Sequence, residues 1–349
     1  MAYTTIDNPD LYFQIKLWTG NDATSRALTF DGSVDMQPNL LWTKIRTQAY
    51  SNTFFDSVRG VTKFLSPNES DAESTSPSQG FLTSFDSDGF TVEDGSSAIA
   101  NFNKDSDTYV SWAWKESSTA GFDIVSYTGN SSDGTTTQDI SHSLSAVPHW
   151  IIIKNRADDT NWAVYHKKNT SAPETEIIYL NATNATADDN AFFGDTAPTS
   201  SQFRVGGDNG VNGNSDAMIA YLWSEKKGYS KFGSFIGNNN GDGAFVYCGF
   251  KPQFLLVKNS TTAHANHDWI LFDNKREAQQ ANEIDTFTKA NEAAAETTSG
   301  RNEVDFLSNG FKARASYGDF NGGSGDTFIF MAFAESPFVN SNKVPNNAE

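Results

Sequence analysis

The sequence predicts an all-β protein: three tandem antiparallel β-sandwiches, each about 110 residues long, with short helical insertions. Three observations predict it. Short aromatic and β-branched runs alternate with turns rich in Gly, Ser, Thr, Asn and Asp. The chain repeats itself with a period close to 109 residues, and 349 residues hold three such periods. Its 27 Phe, 11 Tyr and 8 Trp supply bulky side chains for cores between sheets.

The repeat anchors appear in the same order three times. First comes an aromatic strand ending in glycine: Trp18-Thr19-Gly20, Tyr127-Thr128-Gly129 and Phe235-Ile236-Gly237, with glycines 109 and 108 residues apart. A buried strand then follows a proline and reaches a lysine six residues later, as Pro38 to Lys44, Pro148 to Lys154 and Pro252 to Lys258. A second aromatic strand recurs at Phe54-Phe55-Asp56, Trp162 to His166 and Trp269 to Asp273. Next is a strand after a turn, at Phe90-Thr91-Val92, Phe203-Arg204-Val205 and Phe311-Lys312-Ala313. Each copy closes with a strand from Asp to Glu: Asp107 to Glu116, Asp216 to Glu225 and Asp326 to Glu335, with Trp114, Trp223 and Phe333 seven residues in.

These anchors give units at 10–120, 121–231 and 232–338, an N-terminal extension at 1–9 and a C-terminal tail at 339–349 that reads as a strap or docking peptide. The segment between the second aromatic strand and the next is the variable one. In the third unit 274–280 and 289–296 are rich in helix formers and predict helix, whereas 66–73 in the first unit offers one turn at most.

Charge and composition exclude several functions. With 25 Lys and Arg against 43 Asp and Glu, the formal net charge is −18, which repels nucleic acid and anionic membrane surfaces. No apolar run reaches the roughly 20 residues that cross a bilayer, and the first residues lack a basic and apolar leader, so no membrane insertion and no export by signal peptide are expected. The single cysteine, Cys248, excludes an intramolecular disulfide framework or Cys-based metal cluster and reads as a small core residue.

His264 and His267 have a ligand-like spacing, but neither they nor His142, His149 and His166 recur between units, and Thr262 to His267 reads as a polar loop. The Asp/Asn/Gly loops supply the hard oxygen ligands that suit calcium. Asn238 to Gly243 opens like an EF-hand loop, yet Gly249 stands where the bidentate Glu is required; 208–216 and 319–326 are similarly incomplete and read as hairpin loops. Glu116, Glu225 and Glu335 are the only acids with positional logic, and that logic is the repeat. No motif of a hydrolase, metalloprotease, P-loop or dinucleotide enzyme stands in its required context.

Trp112, Trp114, Trp150, Trp223 and Trp269 read as core, leaving Phe192, Phe193, Tyr229 and Phe320 as candidate exposed aromatic contacts. Lys44, Lys154 and Lys258 read as edge lysines whose ammonium groups reach water. No catalytic, cofactor or metal residue is assigned, and no ligand-binding residue is identified.

Several stretches carry a resemblance. Asn8 to Gly20, Asp35 to Pro38, Phe55 to Gly60 and Ser84 to Phe90, then Gly121 to Asn130 with Ser141 to Leu144 and Pro148, and finally Phe333 to Asn342, resemble a family of structural proteins of tailed bacteriophages, frequent in marine phages. The match departs from the family pattern at Lys343, where glycine is common. The resemblance implies a non-enzymatic virion protein, a tail-fibre or fibre-like appendage subunit with lectin-like (concanavalin/SPRY-like) sandwiches, made in the host bacterial cytoplasm and serving assembly and host attachment. Capsid decoration and a carbohydrate-binding module are the alternatives. Implied partners are other virion proteins, further copies of the chain with a trimer favoured, and a host-surface glycan or receptor.

Overall fold

The computed structural model describes residues 3–75, 78, 80–95, 102–276, 283–300 and 303–345. The described strands fall into three sets along the chain. The first set contains β1 (Phe13–Thr19), β2 (Arg26–Leu28), β3 (Leu40–Ile45), β4 (Thr53–Asp56), β5 (Phe81–Asp86), β6 (Gly89–Glu93) and β7 (Thr108–Trp114), in sheets ordered β1-β7-β3-β4 and β2-β6-β5.

The second set contains β8 (Phe122–Thr128), β9 (Gln138–Ser141), β10 (Trp150–Asn155), β11 (Ala163–His166), β12 (Glu176–Tyr179), β13 (Ala187–Asp188), β14 (Gln202–Val205) and β15 (Ala217–Trp223). Its larger sheet runs β8-β15-β10-β11-β12-β13, and β9 pairs with β14. The third contains β16 (Ser230–Ile236), β17 (Phe245–Tyr247), β18 (Phe250–Asn259), β19 (Ile270–Asp273), β20 (Glu283–Ile284), β21 (Thr286–Lys289), β22 (Thr297–Thr298), β23 (Val304–Leu307), β24 (Gly310–Ala313) and β25 (Thr327–Pro337). Its sheets are β16-β25-β18-β19-β21-β22 and β17-β24-β23-β20. All strand pairs are antiparallel, so the all-β sandwich class holds.

Two-residue alternation explains the layering. In β3, Leu41 and Ile45 enter a core with Leu28, Leu82 and Phe90 of the facing sheet, while Leu40 and Trp42 point to the opposite side. Strand β10 divides in the same way, Ile151 and Ile153 against Trp150 and Ile152, and so does β18, Leu255 and Val257 against Phe254 and Leu256. Leu40, Trp42, Trp150, Ile152, Phe254 and Leu256 all belong to one further core, shared by the three sets. An antiparallel sheet commonly leaves one face to water. Here both faces of each larger sheet are covered, which explains runs such as Trp150-Ile151-Ile152-Ile153 without a polar residue.

The shared core takes the largest side chains. Trp42, Trp112, Trp114, Trp150, Trp162, Trp223 and Trp269 all lie there, not inside the sandwiches where sequence placed the aromatics. Convergence of three sheet faces leaves a wide space that only large rings fill at protein packing density. Trp114 meets Trp223 at 6.2 Å and Phe333 at 5.7 Å between ring centroids, joining the three closing strands.

The variable segments extend the sheets. Residues 289–296 were expected to be helical, but Lys289 ends β21 and 290–296 form no helix, because Ala293 and its neighbours give their carbonyls to the first strand set (below). Tertiary hydrogen bonds override intrinsic propensity here. Of the predicted helix at 274–280, 277–280 lie outside the described residues. The described α-helices are single turns, Asn190–Phe193 and Asn209–Asn212, capped by Asp189 and Asp208. Gly129 shows why the repeat keeps glycine after its first strand: a Cβ would lie 2.1 Å from the Gly213 carbonyl oxygen.

The tail does not run as an extended strap. Residue 339 pairs with 345 around a turn, and the Ser341 amide donates to Asp7 Oδ1 at 2.7 Å, bringing the two terminal segments together. Among the described residues, no helix is long and apolar enough to cross a membrane.

Candidate functional site

The polar residues at corresponding positions meet where one strand set touches the next. The segment after β4 crosses to the second set, where the Glu73 amide donates to the Arg156 carbonyl at 2.9 Å. The segment after β12 crosses to the third, Thr186 N–H to the Ser260 carbonyl at 2.9 Å, and that after β21 to the first, Glu296 N–H to the Arg46 carbonyl at 2.8 Å. The contact is thus made three times, and the third closes a ring.

Ion pairs reinforce two of these crossings. Arg156 grips Glu73 with Nε at 2.8 Å and Nη2 at 3.0 Å; Arg46 grips Glu296 with Nη2 at 2.7 Å. Each glutamate also takes an arginine of its own set, Arg59 on Glu73 at 3.4 Å and Arg276 on Glu296 at 2.9 Å. Those arginines are in turn held by Asp56 and Asp273 three residues earlier, in pairs with no exposed side-chain surface. At the remaining crossing neutral residues, His166, Asn169, Thr186 and Ser260, hold the corresponding four places, and the Thr186 hydroxyl donates to Asn169 Oδ1 at 2.7 Å.

A second ring lies deeper. Asp56 Oδ2 accepts from the Tyr221 hydroxyl at 2.7 Å, and Asp273 Oδ2 from Trp112 Nε1 at 2.9 Å. At the neutral crossing His166 Nε2 donates to the Phe330 carbonyl at 3.2 Å, and burial pushes this imidazole down to about 3, so it is neutral. Sequence reasoning missed these networks, although Asp56-Ser57-Val58-Arg59 and Asp273-Asn274-Lys275-Arg276 stand at matching places.

The three anchor lysines overturn their sequence reading. Lys44, Lys154 and Lys258 have no exposed surface. They lie on the interior faces of central strands, so their ammonium groups end on oxygens of the protein. Lys44 donates to the Tyr50 carbonyl at 2.6 Å and the Ala293 carbonyl at 3.2 Å; Lys154 to those of Asn155 at 2.8 Å and Asp158 at 2.9 Å; Lys258 to that of Asn259 at 2.7 Å. Burial pushes Lys44 down to about 7, against the pull of Glu296, and Lys154 and Lys258 each down to about 8.

Two of the strand-end glutamates, Glu116 and Glu225, meet the next strand set. Glu225 pairs with Lys231 at 2.9 Å and Glu335 with Lys251 at 3.2 Å. Glu116 faces Asp123 of the next strand set; burial, with the hydrogen bond to Asp123, pushes it up to about 7. Carboxyls in direct hydrogen bond lack the separation of about 5 Å or more that glycoside hydrolysis uses.

The other candidates take structural places. Phe192, Phe193, Tyr229 and Phe320 are buried rather than exposed, since the turns that carry them fold over the cores. His264 and His267 remain in a loop where His267 Nδ1 bonds the Thr262 carbonyl at 2.7 Å. The Asp/Asn/Gly loops are organised by buried asparagines at a 109-residue spacing, Asn103, Asn212 and Asn321. Asn321 Nδ2 donates to the Asn240 carbonyl at 2.8 Å and the Ala315 carbonyl at 2.9 Å. Among the described residues, no group of three or more His, Cys, Asp or Glu is placed to hold a metal ion. Cys248 is buried beneath the third sandwich, which raises its thiol pKa.

No curated protein and no solved structure matches the chain. The family described as "Domain of unknown function (DUF7483)" matches residues 8–337, a span running from the first turn to the end of β25, and the chain belongs to that family.

Proposed function

We propose that this chain is a non-enzymatic structural protein of a tailed-phage particle: a tail-fibre or fibre-like appendage subunit of three tandem sandwich repeats, 10–120, 121–231 and 232–338, that packs on other virion proteins and presents its loops to the host surface. The observation that carries the reading is the use of the chain's conspicuous acids, lysines and tryptophans to lock strand sets together. The resemblance of Asn8 to Gly20, Gly121 to Asn130 and Phe333 to Asn342 to phage structural proteins supports the particle assignment. Assembly into a trimer would use outer surfaces, because the inner sheet faces are covered within the chain.

The test is negative-stain microscopy of gradient-purified particles with an antibody to this chain. Label on a tail or appendage is the expected result. Label on the head surface would replace the fibre role with decoration, and label confined to cell debris would end the virion reading.

A further inference from the structure

The junction between the last and first strand sets, the one without a peptide link, carries a cleft. In the second set Asp123, on β8, reaches Glu116, and in the third Lys231, on β16, reaches Glu225 at 2.9 Å. The corresponding residue of β1 is Gln14, which turns back on its own segment: Nε2 donates to the carbonyls of Asp10 and Val34, each at 2.9 Å, and Oε1 accepts from Gly32 N–H at 3.1 Å. Glu335 meanwhile pairs with Lys251. Beside Gln14 lies a cleft of about 220 Å³, bounded by Asp10, Asp31, Ser33, Gln253 and Lys275, with Ile15 and Leu17 as an apolar wall.

We propose that this cleft binds one neutral sugar ring. Its volume suits a single six-membered ring and is below the usual range of about 300–1,000 Å³ for drug-sized ligands. Its charge is balanced: Lys16 holds Asp31 at 2.8 Å, and Lys275 offsets Asp10, so neither a metal ion nor a strong anion is favoured. Its groups pair donors with acceptors. Asp10 Oδ2 is taken by the Ser33 amide at 2.8 Å and hydroxyl at 2.9 Å, leaving Oδ1 to accept. Gln253 is 3 % exposed and gives one N–H to the Ala334 carbonyl at 2.8 Å; its other N–H and its carbonyl oxygen have no protein partner among the described residues. Adjacent hydroxyls, each both donor and acceptor, match such a set, while Leu17 and Ile15 offer surface to the ring's C–H face. Gln253 lines the cleft, so a ligand hydroxyl can take the place of water on that amide edge. The source of the sugar, a host-surface glycan, rests on the attachment reading; the binding itself does not.

The experiment titrates the isotope-labelled full chain with methyl glycosides of glucose, galactose, mannose and N-acetylglucosamine and follows the Gln14 and Gln253 side-chain amides by NMR. The expected result is saturable shifts of both amides with at least one glycoside and a Kd in the millimolar range, roughly the −4 kcal/mol of a small polar ligand. Asp31→Ala and Lys275→Ala alter exposed residues, keep the spectrum of the folded chain, and weaken binding about fivefold or more. Absence of saturation at about 50 mM of every glycoside, well above that Kd, overturns the proposal, as does unchanged affinity in both variants. Failure here with labelled virion tails leaves the attachment reading standing, and binding here with unlabelled particles removes only the virion role.

Discussion

Tyr221 donates its hydroxyl to Asp56 across 2.7 Å, from the second strand set into the first, and the acceptor also holds the buried Arg59. One carboxylate therefore joins an ion pair within a set to a hydrogen bond between sets. Burial raises the tyrosine's pKa well above its usual value, keeping the donor proton in place.

Asp56→Ala strands a buried guanidinium and a buried hydroxyl together. The expected loss is about 3–5 kcal/mol in urea unfolding. The crossing between the second and third sets indicates the remedy, because it carries His166, Asn169, Thr186 and Ser260 in the four places. Asp56→His, Arg59→Asn, Glu73→Thr and Arg156→Ser combined should lose at least about 2 kcal/mol less than the four single losses added. Simple additivity would show that the four do not act as one network.

Lys44, Lys154 and Lys258 set a pH dependence whose sign can be worked out. Their folded pKa values, about 7, 8 and 8, lie below that of an unfolded lysine. Between those values and the unfolded one near 10.4, the unfolded chain holds more protons, so stability rises with pH and is lost as pH falls through 8 and 7. Each lysine adds at most about 1.4 kcal/mol per pH unit in that window. Unfolding midpoints between pH 7 and 9.5 should rise in the native protein and rise less in Lys44→Gln; a flat profile would contradict burial of these amines.

Trp162 Nε1 donates to the Ser66 and Glu69 carbonyls at 3.0 and 3.1 Å, across the first crossing. Trp269 does the same to Tyr179 at 2.9 Å, while Asn52, in the matching place, bonds the Glu292 carbonyl at 3.1 Å and takes the Trp42 indole N–H at 3.0 Å. Trp162→Phe keeps the ring and loses the bonds, with an expected cost of about 1–3 kcal/mol. Chemical denaturation measures it, and faster amide exchange at 66–73 should accompany the loss.

Cys248 should resist thiol reagents in the folded chain and react fully in denaturant, because burial disfavours the thiolate. Rapid native labelling would show that the third sandwich opens at this edge.

Strand positions were legible because side-chain alternation and glycine or proline punctuation are local. The shared core was not, since alternation separates two faces without saying what covers each. The unbroken apolar run Trp150 to Ile153 was the available signal that both faces are buried. Lys44 followed such a run and was read as an edge residue, because a lysine's usual partner is water and its carbonyl partners come from residue 50 and, far along the chain, residue 293. Residues 289–296 misled in the other direction: their composition favours helix, and only the partners Asn52 and Arg46 hold them extended. The cleft beside Gln14 had no sequence signature at all, being formed by what Gln14 does not reach.

Differential scanning calorimetry tests the central claim, that three strand sets closed by three crossings and one shared core behave as a single body. The account predicts one cooperative transition with calorimetric and van't Hoff enthalpies nearly equal. Three resolved transitions, each near the enthalpy of a domain of about 110 residues, would contradict it.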